Sequence, residues 1–217
     1  MSELSLNIIN CLEKVIRNKN SFEKVALHEP YFEDTNAWRY VKECIDTGWV
    51  SSAGEWVNKF EDGISKFTGA SYAVAVTNGT VGLRLALYAI GVRCGDEVLI
   101  PPLSFVATAN AVSHLGATPH FVDVEKDSLG LSPIALEKRL EEIAYKKNGK
   151  VFNKVTGKRI AALIPVHVFG NPANLPELLI IANKWGIPIV EDAAEALGSW
   201  FKVSEEKIHC GLIGDIG

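Results

Sequence analysis

Residues 96–112 read DEVLIPPLSFVATANAV, an apolar run that leads through two prolines into a helical pattern. The run at 97–100 predicts a short buried strand, and the residues after Ser104 predict a helix. Further apolar runs follow the same plan: YAVAV (72–76), PHFVDV (119–124), IAALIPV (160–166) and IPIVED (187–192). Helical patterns separate most of them. This alternation predicts an α/β fold, with a mostly parallel sheet covered by helices on both faces.

Caps and glycines predict where the helices begin and end. Ser132-Pro133 offers a cap and a first-turn proline for one helix, and a second is predicted from about Leu175 to Trp185. Nearer the N-terminus, apolar residues recur at helical spacing in a helix that stops at Gly69: Trp56, Phe60, Ile64 and Phe67. The polar, basic residues 145–159 predict a surface excursion with a small hairpin.

The sequence of the N-terminal residues predicts a helix and a connector before the main domain. Residues 4–17 have helical spacing, and His28-Glu29-Pro30 predicts a turn in the connector that follows. Asn36 can cap a short helix, which Gly48 ends. We therefore expect an N-terminal helix and connector at 1–35, followed by the main domain at 36–217.

Composition excludes several classes of protein. The net charge is −4 and no long run of Lys or Arg occurs, which argues against nucleic acid as a partner. Apolar stretches fall short of the ~20 residues that span a bilayer, and the N-terminus does not resemble a signal peptide. The four cysteines form no CxxC pair, which favours a reduced, cytoplasmic protein. The histidines lack metal-ligand spacing.

Ligands of open α/β sheets bind beyond the carboxyl ends of the strands. This rule selects four segments: TNGT (77–80), PPLSF (101–105), HVFG (167–170) and EDAAEA (191–196). In TNGT, a glycine allows close backbone approach, and a threonine hydroxyl with free helix N–H groups can hold a phosphate. Plain capping by Thr77, Asn78 or Thr80 would explain the same residues.

The other segments offer one candidate each. Successive strand side chains point to opposite faces, so Asp192 can face the crevice and pair with a cationic ring nitrogen, or it can cap the next helix. Phe105 can stack on a flat cofactor or belong to the core. His167 can carry a proton, contact the substrate or be a buried structural histidine. Residues 211–217, GLIGDIG, lack the strand and helix context of a dinucleotide fingerprint.

Together these segments supply three contacts: a phosphate cradle, an aromatic ring for stacking and a carboxylate for a ring nitrogen. Pyridoxal 5′-phosphate (PLP) needs these three contacts and a lysine. The set therefore predicts a PLP site.

Five stretches of the sequence resemble the DegT/DnrJ/EryC1/StrS aminotransferases, fold-type I PLP enzymes that aminate nucleotide-linked keto sugars. They are WVSSAGEWVNKFE (49–61), VTNGTVGLRLAL (76–87), DEVLIPPLSFVATANAV (96–112), PVHVFGNPANL (165–175) and EDAAEALGS (191–199). The resemblance extends from about Leu27 to Gly217. The insert GKVFNKVTGKRI (149–160) resembles the branch linked to legionaminic acid and related nonulosonates.

The resemblance implies a role for each candidate. Gly79 and Thr80 bind the PLP phosphate, Phe105 stacks on the pyridine ring, and Asp192 pairs with the pyridinium nitrogen. Glu195 lies near the ring's 3-hydroxyl, where many relatives have Gln or His, and His167 lies near the cofactor or sugar. The implied amino donor is glutamate, and the acceptor is a UDP- or GDP-linked 4-keto-6-deoxy hexosamine. A homodimer is also implied.

The family's Schiff-base lysine follows a GDIG-like segment, so we expect it after Gly217. Lys202 and Lys207 lack its sequence context. On this basis we expect residues 36–217 to form a partial PLP-binding large domain without the small C-terminal domain, and we expect the chain alone to be inactive. Two alternatives stay open: a sugar dehydratase of the same fold with His in place of the lysine, and a non-catalytic truncated relative.

Overall fold

The computed structural model describes residues 2–16, 32–203 and 206–217. The chain divides into two compact units, Met1–Val50 and Ser51–Gly217. The turn predicted at His28-Glu29-Pro30 lies outside the described residues. Within the described ranges, no helix is long and apolar enough to cross a membrane.

The described residues of the first unit form two helices, α1 (Glu3–Ile16) and α2 (Ala37–Thr47), and both were predicted. Asn36 is the N-cap of α2, but its side chain makes no capping hydrogen bond. Instead, the hydroxyl of Thr35 accepts from Ala37 N–H at 3.3 Å. Gly48 ends the helix at φ +74°, a left-handed conformation that glycine adopts without a steric penalty.

The second unit alternates helices and strands. In chain order these are α3 (Glu55–Thr68), α4 (Gly79–Ala89), β1 (Glu97–Ile100), α5 (Val106–Ser113), β2 (Thr118–Phe121), α6 (Pro133–Ile143), β3 (Ala144–Lys147), β4 (Lys150–Asn153), β5 (Arg159–Leu163), α7 (Leu175–Trp185), β6 (Trp200–Val203) and β7 (Glu206–His209). The predicted starts of α5 and α6 and the predicted bounds of α7 are confirmed. Ser132 caps α6, because its hydroxyl accepts from Ala135 N–H at 3.2 Å.

The main sheet has the order β2-β1-β5-β4-β3. β1 runs parallel to both β2 and β5, whereas β4 pairs antiparallel with the start of β5. The run at 187–192, predicted as a strand, continues the parallel sheet through single bridges. Leu163 pairs with Ile189, and Val166 pairs with Asp192. The carboxyl ends of β1, β5 and the 187–192 segment therefore point the same way.

Helices cover both faces of the sheet, as the apolar runs predicted. One buried cluster joins Leu99, Leu163 and Ile189 to α6 and α7. The residues next to these in sequence, such as Val98 and Val190, join α4 and α5 in a second cluster. Successive strand side chains point to opposite faces, so a wholly apolar strand supplies two cores.

Residues 72–76 are not a strand, contrary to the prediction. They are irregular, and Tyr72 and Val74 are 90% and 79% exposed. Strand structure depends on hydrogen bonds to a neighbouring strand, and none of the described strands pairs with this segment. Ala75 N–H donates instead to Glu61 Oε1 at 2.7 Å.

The hairpin predicted within 145–159 is present as β3 and β4. Asn148 and Gly149 both have positive φ at its turn, as an Asn-Gly hairpin turn requires. The segment is not only a surface excursion, because β4 extends the main sheet and Val151 is 2% exposed. Thr156 Oγ1 donates to Glu97 Oε1 at 2.5 Å, which fixes the segment to the amino end of β1.

Candidate cofactor site

The ends of two parallel segments meet at the edge of the sheet. Asp192 N–H donates to Pro165 O at 2.9 Å, and His167 N–H donates to Asp192 O at 3.1 Å. This ladder places HVFG beside EDAAEA. The third segment, PPLSF, follows β1 and leads into α5. Three of the four predicted segments therefore lie at the carboxyl edge of the sheet.

Asp192 is buried at this edge and held by α5. Its side chain faces the helix, and Thr108 Oγ1 donates to its Oδ2 at 2.6 Å. Thr108 is 0% exposed and Asp192 is 7% exposed. The other oxygen, Oδ1, has a longer contact of 3.4 Å with Ala194 N–H. One carboxylate oxygen is thus fixed, while the other retains acceptor capacity.

Glu191 points away from Asp192, and its role was missed from the sequence. Its carboxylate accepts four hydrogen bonds from N–H groups. Oε1 accepts from Ile213 N–H at 2.7 Å and Gly214 N–H at 2.5 Å. Oε2 accepts from Gly211 N–H at 2.8 Å and from His167 Nε2 at 2.9 Å. The GLIG turn is therefore organised around one buried carboxylate.

The charge of Glu191 is stabilised inside the protein. Burial raises the pKa of this carboxyl, but the hydrogen bonds from His167, Gly214 and Gly211 outweigh burial, so the net pKa is lowered. A carboxylate that accepts several N–H bonds favours its ionised form. The same charge acts on a neighbour: burial and then Glu191 raise the pKa of the Cys210 thiol to about 11.

The position of His167 favours the structural alternative over a sugar contact. The residue is 1% exposed, and its Nδ1 accepts from Ala173 N–H at 3.1 Å. Nε2 therefore carries the proton that is donated to Glu191. The ring packs edge-on against Phe201 with 5.5 Å between centroids. Both ring nitrogens are engaged within the protein, so this histidine has no nitrogen left for a substrate.

Glu195 contacts the HVFG turn rather than standing free. Its Oε2 accepts from Phe169 N–H at 2.9 Å. Phe169 has φ +55°, which is unusual for a residue other than glycine. Gly170 follows at φ +75°, and a Cβ there would lie 2.8 Å from Glu195 O. The carboxylate of Glu195 thus supports a tight turn, and the assigned contact with the ring's 3-hydroxyl stays a prediction.

The TNGT segment starts α4 as a capped helix. Asn78 Oδ1 accepts from Val81 N–H at 3.0 Å, so the capping explanation holds for Asn78. The N–H groups of Gly79 and Thr80 have no acceptor among the described residues. A Cβ built on Gly79 meets nothing within 4 Å. Free N–H groups in open space at a helix N-terminus suit a phosphate.

Phe105 lies directly before α5 and is 78% exposed, so it is not a core residue. An exposed aromatic ring, a buried carboxylate with one open oxygen and an open helix N-terminus are three of the four groups that PLP requires, and the fourth is a lysine. The described residues therefore fit this cofactor.

A model of the DegT/DnrJ/EryC1/StrS aminotransferase family matches residues 32–217, most of the chain. The chain belongs to this family. GDP-perosamine synthase of Escherichia coli O157:H7 is 36% identical to it over 177 residues, which cover 82% of this chain and 43% of that protein.

Two solved structures share the fold, and the first of them is a DegT/DnrJ/EryC1/StrS aminotransferase. One from Brucella abortus aligns with a TM-score of 0.69 at 25% identity, over 95% of this chain and 47% of that one. NtdA from Bacillus subtilis, solved with its bound cofactor PMP, aligns with a TM-score of 0.65 at 25% identity, over 83% and 40% of the two chains. The fold is that of the fold-type I PLP-dependent aminotransferases, and PLP is the cofactor of the family. The chain spans less than half the length of these relatives.

Proposed function

We propose that the protein containing this chain is an aminotransferase that moves an amino group from glutamate to a nucleotide-linked 4-keto-6-deoxy sugar. The observation that carries the proposal is Asp192, a carboxylate buried at the carboxyl edge of the sheet with one oxygen held by Thr108. A negative charge in this position is suited to a protonated ring nitrogen.

Residues of this chain have distinct tasks in the proposed reaction. Gly79 and Thr80 bind the phosphate through N–H groups and a hydroxyl. Phe105 presents its face to the ring, and Asp192 keeps the proton on the ring nitrogen. Bound PLP supplies an electron sink for amino-group transfer. Glu195 stays a candidate for the ring's 3-hydroxyl, and the position of the lysine that would hold the cofactor stays an expectation from the family resemblance.

The nature of the sugar is the finer part of the proposal. The relative named GDP-perosamine synthase favours a GDP-linked sugar over a UDP-linked one. This relative gives no support to the legionaminic-acid branch, so a nonulosonate product stays a prediction. We further propose a cytoplasmic homodimer.

The test is an assay of the full-length protein with PLP, glutamate and a GDP-linked 4-keto-6-deoxy sugar. We expect equal amounts of amino sugar and 2-oxoglutarate, measured by mass spectrometry. Asp192→Asn should lower kcat by about 10²–10³-fold, because a charge that stabilises the reacting centre is removed. The matched control is Asp123→Asn, which changes an exposed carboxylate on the loop after β2.

Two other outcomes would contradict the proposal. Sugar dehydration without transfer of an amino group would support the dehydratase alternative. PLP binding without turnover of GDP- or UDP-linked sugars would support the non-catalytic alternative.

A further inference from the structure

Thr108 lies in the first turn of α5 and has no contact with solvent. Its Oγ1 donates to Asp192 Oδ2 at 2.6 Å, across 84 residues of sequence. Its backbone N–H donates to Phe105 O at 3.2 Å. A hydroxyl has a single proton, and here that proton is directed at a carboxylate, which makes a strong hydrogen bond. Thr108 thus connects Phe105, which is assigned to the ring face, with Asp192, which is assigned to the ring nitrogen.

The two oxygens of Asp192 have unequal partners. Oδ2 has the short bond from Thr108, whereas Oδ1 has only the 3.4 Å contact with Ala194 N–H. That contact exceeds the usual range of 2.7–3.2 Å for an N–H···O hydrogen bond. Asp192 is 7% exposed, and a buried carboxylate oxygen without a good partner is costly. Oδ1 is therefore the oxygen that is available to a ligand N–H.

We propose that Thr108 is a positioning residue for the cofactor: by holding Oδ2, it fixes the Asp192 carboxylate so that Oδ1 accepts the ring N–H. The inference rests on the proposed function. It gives α5 two tasks, because Phe105 is the N-cap residue of the same helix. Thr108 itself does not touch the cofactor and acts only through Asp192.

A purely structural role for Thr108 makes a different prediction. If the hydroxyl only satisfies a buried carboxylate, its removal lowers stability but leaves the spectrum of bound PLP unchanged. If the hydroxyl positions Asp192, its removal also weakens the hydrogen bond between the ring N–H and Asp192 Oδ1. Cofactor affinity and the pH titration of the PLP absorbance band separate these roles.

The experiment compares Thr108→Val and Thr108→Ser in the full-length protein. PLP affinity is measured by equilibrium dialysis, and the absorbance band is followed against pH. Thr108→Val should weaken PLP binding by about tenfold, equivalent to about 1.4 kcal/mol. It should also move the midpoint of the pH titration by about one unit. Thr108→Ser keeps the hydroxyl and should stay within about twofold of the wild type in affinity.

Thr68→Val is the matched control, because it removes another shielded threonine hydroxyl, which donates to Ile64 O at 2.8 Å. It should leave PLP affinity and the pH midpoint unchanged. If Thr108→Val does not fold, Thr108→Cys replaces it, since a thiol is a weaker donor of similar size.

The outcomes distinguish the inference from the proposed function. Wild-type affinity and an unmoved midpoint in Thr108→Val or Thr108→Cys would overturn the positioning role alone. Failure of the wild-type protein to bind PLP would overturn both. Weakened binding with a moved midpoint in Thr108→Val, and recovery in Thr108→Ser, is the expected result.

Discussion

Glu191→Gln is expected to destabilise the full-length protein by about 3–6 kcal/mol, although the two side chains have nearly the same shape. The carboxylate accepts from four N–H groups, two at each oxygen. A glutamine keeps one acceptor oxygen and turns an NH₂ group toward the other two donors. Two hydrogen bonds to a charged group are lost, at about 1.5–3 kcal/mol each.

A change of proton position in His167 cannot rescue this variant. Its Nδ1 accepts from Ala173 N–H, so the proton stays on Nε2, and whichever way the amide turns, two N–H donors face its NH₂ group. The loss is a large part of the about 5–15 kcal/mol that stabilises a typical protein. Urea denaturation followed by circular dichroism measures it.

The control is Glu137→Gln, which changes a half-exposed carboxylate that pairs with Lys184 at 2.8 Å. Exposed ion pairs contribute little, so this change should stay within about 0.5 kcal/mol. A cost below about 1 kcal/mol for Glu191→Gln would refute our account of the GLIG turn.

The pH dependence provides a second check on Glu191. Its pKa in the folded state is lowered from the ordinary value of 4.5. The carboxylate therefore adds stability above pH 4.5, and this contribution is lost as the pH falls through the lowered pKa. The difference in unfolding free energy between wild type and Glu191→Gln should be full at pH 7 and shrink below about pH 4.5. A difference that grows on acidification would contradict the assignment.

Three further predictions concern the scaffold around the site. Leu140→Ala in α6 should cost about 2–5 kcal/mol in urea denaturation, because Leu140 is 0% exposed in the core. Iodoacetamide at pH 8 should label Cys94, which is exposed, and spare Cys210, whose pKa is raised to about 11, as read by peptide mass spectrometry. Gly170→Ala should cost about 1–3 kcal/mol in thermal unfolding, because φ is +75° and the new Cβ would lie 2.8 Å from Glu195 O.

Helices and strands differ in how far the sequence predicts them. The bounds of α7 follow from local features, an apolar periodicity and a glycine at position 186 in a left-handed conformation. A strand depends on hydrogen bonds to a neighbouring strand, and the local sequence does not show where that neighbour lies. Residues 72–76 have a strand-like composition but no strand partner among the described residues. Residues 187–192 have partners and join the sheet, although only through single bridges.

The candidate site shows the same division between local and distant information. The strand-end rule selected Asp192, and the structure places it as a buried carboxylate at the sheet edge, while its contact with the ring nitrogen stays a prediction. The sequence could not show that Thr108 would meet it, since 84 residues separate the two. His167 was selected for its chemistry, and only the structure shows that both of its ring nitrogens have protein partners, which favours the structural alternative.

The adjacent acids Glu191 and Asp192 show how alternation along an extended segment divides one sheet edge into two environments. Asp192 meets α5 on one face, where an oxygen stays open for a ligand. Glu191 meets the GLIG turn on the other, where N–H donors occupy both oxygens. After the GLIG turn (211–214) the chain rejoins the sheet, since Ile216 forms a parallel bridge with Val190. The hydrogen bonds to Glu191 therefore support the segment that carries Asp192. Glu191→Gln should weaken cofactor binding, although Glu191 itself makes no contact with the cofactor.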